Sequence, residues 1–143
     1  MRAPLLALVV SLTLLPAGPT RAEEAFKVIV HPSNQASTIT RRELADMFLK
    51  KLTRWPDGEA VHPVEPPEAS TTRAHFLNAV IGRSAYAVKM FWSRRVFEGR
   101  DVPPVQKRSE DEVVAFVRST PGAVGYVSPG TAAAGVKVVT LPN

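Results

Sequence analysis

The segment from Thr40 to Phe76, TRRELADMFLKKLTRWPDGEAVHPVEPPEASTTRAHF, constrains the fold more than any other part of the chain. Its hydrophobic period changes from helical to strand-like and back, and every change is punctuated. Thr40 and Glu43 are spaced as a capping box ahead of an apolar stripe of Leu44, Met47 and Phe48, which predicts a helix to about Lys50. Pro56-Asp57-Gly58 reads as a turn, Ala60 to Val64 as a short strand and Pro66-Pro67 as its stop. Ser70 is then the N-cap of a second helix whose apolar face is Phe76, Leu77, Val80 and Ile81, with Gly82 at its end. A hydroxyl-rich loop between a strand and a helix suits an oxyanion, because the first helical turn leaves N–H groups unpaired and favours negative charge.

The flanking sequence continues the alternation. Phe26 to Val30 is a strand stopped by His31-Pro32-Ser33-Asn34. Ser84 caps a longer helix that turns Val88, Phe91, Trp92 and Val96 inward, and residues 99–104 form a loop. Ser109 and Glu112 are a second capping box, opening a helix with Val113, Val114, Phe116 and Val117. After the break at Thr120-Pro121-Gly122 come strands at Ala123–Val127 and Val136–Leu141. This order predicts an α/β fold, a three-layer sandwich with a mostly parallel sheet flanked by helices.

The beginning of the chain is read separately. Arg2, the apolar run from Leu5 to Leu15, and the small-x-small site Thr20-Arg21-Ala22 have the form of a cleaved secretory signal peptide, residues 1–22. That leaves residues 23–143 as one domain and points to a periplasmic location. The absence of cysteine excludes disulfides and thiolate metal sites. Removing Arg2 and Arg21 lowers the formal charge from +5 to +3, and the remaining positive charge is scattered, which argues against nucleic acid as a partner.

Catalysis is not expected. There is no Gly-x-Ser-x-Gly elbow and no Gly-rich loop ending in Lys-Ser/Thr, and Glu110, Asp111 and Glu112 are explained by the dipole of the helix they open. His31, His62 and His75 lie in different elements without metal-ligand spacing, so neither a metal nor a cofactor is expected. His62 should face solvent from its strand, while Trp55 and Trp92 read as packing residues.

Taken together, Ile39-Thr40, Leu44, Met47-Phe48, Trp55, Pro63-Val64, Ser70-Thr71-Thr72, Phe76 and the run Pro121-Gly122-Ala123-Val124-Gly125-Tyr126 resemble the phosphate-type substrate-binding proteins of ABC transporters, within the type 2 periplasmic binding protein fold. The resemblance covers Phe26 to about Val127 and implies one lobe of that two-lobed fold. It also implies an oxyanion site at Ser70, Thr71, Thr72 and Arg73, with Glu68 accepting a hydrogen bond from a protonated phosphate. The chain departs from the family pattern at three points: Lys50 and Thr71 stand where the family has glycine, and Pro66 stands where it has its cationic phosphate ligand.

Two functions follow as expectations. The first is an exported, non-catalytic protein binding phosphate or a similar small oxyanion for an ABC-type transport or sensing system, with a membrane permease or sensor protein as partner. The second is a periplasmic adaptor that keeps the fold and binds a protein instead of an anion. Pairing of two copies into a homodimer would rebuild a two-lobed site.

Overall fold

The computed structural model describes residues 25–142, so the signal peptide expected at residues 1–22 lies outside the described residues. Strand β1, Lys27–Val30, leads to helix α1, Arg41–Phe48, and strand β2, His62–Glu65. Helix α2, Thr71–Phe76, runs on as a π-helical turn over Leu77–Ile81, and helix α3 spans Ala85–Phe97. The two-residue strand β3, Val105–Gln106, precedes helix α4, Glu110–Ser119, and strands β4, Ala123–Val127, and β5, Lys137–Val139.

The sheet order is β3-β2-β4-β1-β5. β2 is parallel to both β3 and β4, whereas β1 is antiparallel to β4 and β5, so four strands point one way and β1 runs against them. Alternation along the strands divides the core between the two faces. On one face, Val28, Val30, Val124 and Tyr126 pack against Leu44, Met47 and Phe48 of α1, Phe76 and Leu77, and Val88 and Trp92 of α3. On the other, Ile29, Val64 and Val127 pack against Val113, Val114 and Val117 of α4. The layers are therefore α1, α2 and α3, then the sheet, then α4. Gly125 permits the close approach of α4, because a Cβ there would lie 2.9 Å from Val64 Cγ1 and 3.1 Å from Val113 Cγ1.

The local signals explain the helix ends. Thr40 and Glu43 form the reciprocal capping box, and the side chains of Ser70, Ser84 and Ser109 cap α2, α3 and α4. The second box is only half closed: Ser109 Oγ accepts from Glu112 N, but the Glu112 carboxylate reaches past Ser109 to accept from Arg108 N at 3.0 Å. Gly82 ends the π-helical turn at φ 70°, its N–H donating to Leu77 O, five residues back, at 2.7 Å. Lys50 takes φ 60° just beyond α1, a left-handed position that glycine fills without a Cβ penalty.

One element is added and one expectation is corrected. β3 lies beyond the stretch read as a loop, at residues 105–106; a two-residue edge strand after Pro103-Pro104 has no periodicity to show in sequence. Val96, expected to face inward, is about half exposed, because α3 turns its last turn out of the core and leaves Phe97 at 93% exposure. Trp55 and Trp92 are buried and His62 is exposed, as expected.

Candidate functional site

β2, β3 and β4 end together at Glu65, Gln106 and Val127, and the loops that follow them form one edge of the molecule. In open α/β sheets this carboxyl edge of parallel strands is where ligands sit. Three features are gathered there.

The first is a buried polar group. Glu65, only 5% exposed, accepts hydrogen bonds from Tyr126 Oη at 3.1 Å and Gln106 Nε2 at 3.3 Å. Arg73, in the first turn of α2 and 6% exposed, places Nε 3.3 Å from Glu65 Oε1. That contact is close in distance but out of line, so Nε has no hydrogen-bond partner. Burial pushes the Glu65 carboxyl upward from the usual glutamate range, and Arg73 with the Tyr126 and Gln106 donors offsets only part of it. Burial, and then the charge of Glu65, push the Tyr126 phenol upward too, so Tyr126 remains a protonated donor.

The second feature is an open groove of about 690 Å³ above that pair. Buried Glu65 and Arg73 lie at its floor, and Trp92, Val96 and Phe97 of α3 line it together with Pro103 and Pro104. Exposed Glu68 and Lys89, 3.7 Å apart, stand at the rim.

The third is a cluster of hydroxyls closed on a carboxylate. Glu110, the first residue of α4, accepts from Ser128 N at 3.0 Å, from Ser128 Oγ at 2.7 Å, and from the hydroxyls of Thr131 and Thr72. Burial acts to raise the Glu110 carboxyl, but the bonds from Thr131, Ser128 and Thr72 outweigh it and hold the group below its usual range.

The residues singled out in sequence are distributed among these features. Ser70 Oγ accepts from Arg73 N at 3.2 Å as the N-cap, and Thr71 is exposed at the first position of α2. Thr72 is buried and turned to Glu110, while Arg73 and Glu68 line the groove. Pro66, at the position of the family's cationic ligand, is fully buried.

Sequence reasoning missed Glu65, Lys89, Gln106, Ser128 and Thr131, and read Glu110 only as a dipole partner. The available signal was Glu65 itself, a charge directly following Pro63-Val64 at the end of the strand. Ser128 and Thr131 follow the Pro121–Tyr126 run directly, but nothing local ties them to Glu110. Among the described residues no group of three or more His, Asp or Glu could hold a metal ion, and no helix is long and apolar enough to cross a membrane.

A lobe with this sheet order, carrying its polar groups at the carboxyl edge of the parallel strands, is the architecture of a periplasmic-binding-protein domain. The chain belongs to the PBP superfamily domain family, whose sequence profile matches residues 22–140. No curated protein matches the sequence.

Three solved structures share the fold. A substrate-binding protein from Clostridium perfringens, assigned to phosphate ABC transport and holding bound phosphate, aligns at 21% identity and TM-score 0.65 over 82% of this chain and 44% of its own. An ABC-type phosphate transport receptor from Vibrio cholerae aligns at 16% identity and TM-score 0.62 over 82% of this chain and 46% of its own. PstS from Borrelia burgdorferi aligns at 16% identity and TM-score 0.63 over 82% of this chain and 47% of its own. The chain therefore spans less than half the length of these structures.

Proposed function

We propose that the chain is an exported, non-catalytic binding module that takes phosphate or a similar oxyanion at the carboxyl edge of its parallel strands, for an ABC-type transport or sensing system. Arg73 carries this reading. It is a cation more than nine-tenths buried that lines an open groove, paired in distance with Glu65 but with Nε outside hydrogen-bond geometry. It follows directly on Ser70-Thr71-Thr72, in a helical turn whose leading N–H groups have no intrahelical partners. Lys89 adds a second, exposed cation at the rim. The Clostridium perfringens neighbour, which holds phosphate, is consistent with it.

A periplasmic location follows from the expected signal peptide, and a membrane permease or sensor protein is the corresponding partner. Calorimetric titration of phosphate, then sulfate, into residues 23–143 tests the reading. Saturable binding that Arg73→Lys weakens supports it. A flat titration to millimolar phosphate refutes it, and the search would then turn to a protein partner.

A further inference from the structure

We propose that the groove between α3 and Pro103-Pro104 selects an organic oxyanion with an apolar or aromatic body, held by its anionic head at Arg73 and Lys89, in preference to inorganic phosphate. The proposal rests on the oxyanion reading above and specifies its ligand class.

Three observations carry it. The groove is too large and too apolar for an ion of five heavy atoms: at about 690 Å³ it falls in the size range of sites that enclose small organic molecules, which are roughly 300–1,000 Å³. Its walls are mostly apolar, Trp92, Val96, Phe97, Pro103 and Pro104, with Ser93 and Gln106 the neutral polar side chains among them. Phe97, 93% exposed, and half-exposed Val96 sit beside this concavity at the end of α3, where a ligand's apolar body would cover them.

The polar groups fit one anionic head. Arg73 is buried beside Glu65, with Nε 3.3 Å from Glu65 Oε1 but outside hydrogen-bond geometry, and is the buried cation of the groove. Glu65 and Glu68 line the same groove, so charge density must be kept low. A phosphate monoester carries the same dianionic head as inorganic phosphate, so any preference for it comes from its body. A carboxylate or phosphate ester can put one charged end at Arg73 and Lys89, and lay the rest against the walls.

The test is calorimetric titration of inorganic phosphate, phenyl phosphate and phenol into residues 23–143, repeated on Phe97→Ser and Val96→Ser. Both changed residues are exposed, so the fold is retained. Phenyl phosphate should bind at least about tenfold more tightly than phosphate, and each substitution should remove most of that preference.

Equal affinity for phosphate and phenyl phosphate would overturn the inference and leave the oxyanion reading standing. Binding of phenol as tight as that of phenyl phosphate would remove the anionic head from it. No binding of either anion would overturn both. A dimer in sedimentation that Phe97→Ser dissolves would also overturn it, assigning the groove to a second copy of the chain.

Discussion

Removing both partners of the Glu65–Arg73 pair should cost far less than the sum of removing each alone. Each side chain is only 7% exposed, so Arg73→Met leaves a buried carboxylate without its cation, and Glu65→Gln leaves a buried guanidinium without its anion. Such orphaned charges cost roughly 3–5 kcal/mol each. Taking ~3 kcal/mol for either change, a domain of this size should lose about 10 °C or more in Tm. The double variant should cost ~3–4 kcal/mol, well short of the sum, giving a coupling of ~2–3 kcal/mol.

The pH dependence has a fixed sign. Burial holds the Glu65 carboxyl above its unfolded value, so the stability linked to its proton is full below that value and lost as pH rises through the folded one. Arg73→Met removes the charge that opposes burial, so its deficit should widen as pH rises above the ordinary glutamate range. Urea unfolding of wild type, both single variants and the double variant at several pH values measures all of this. Additive losses below about 1 kcal/mol, independent of pH, would refute the reasoning.

Other substitutions probe other parts of the structure. Glu110 contributes stability above its unfolded pKa that is lost as pH falls through the depressed folded value, so Glu110→Gln should cost ~1–2 kcal/mol at neutral pH after allowance for solvent screening, and almost nothing in acid. Thermal melts across that range would show the difference close. Lys50→Gly should stabilise by about 0.5–1 kcal/mol, since Lys50 holds φ 60° beyond α1; an unchanged midpoint in urea would contradict this. Gly125→Ala should cost ~1–3 kcal/mol by forcing a methyl against Val64, Val113 and Val117, again read from urea midpoints.

The parts of this fold legible in sequence were those specified locally. Thr40–Glu43, Ser70, Ser84 and Ser109 announce helix starts through their own backbone bonds, and Leu44, Met47 and Phe48 mark the buried face of α1. What escaped depends on distant pairing. β3 exists because Val105 and Gln106 find β2, and two residues cannot display a period. Val96 follows the helical stripe but lies beyond the end of the core, so it faces the groove.

The polar edge was only partly legible. Arg73 and Glu68 could be singled out from their place beside Ser70-Thr71-Thr72. Their neighbours could not, because Glu65 and Tyr126 meet across a separation of 61 residues, and Glu110 and Thr131 across one of 21. Side-chain networks of this kind arise from the topology, and the sheet order has to be known before they can be assembled.

The claim that the carboxyl edge of the parallel strands is an anion site is tested most directly by nitrogen-15 NMR of the labelled protein, residues 23–143, titrated with phosphate. Saturable amide shifts should concentrate at residues 65–73, with weaker effects at 106–110 and 128–131. Saturable shifts confined to residues outside these segments, or no saturable shift at millimolar phosphate, would contradict it.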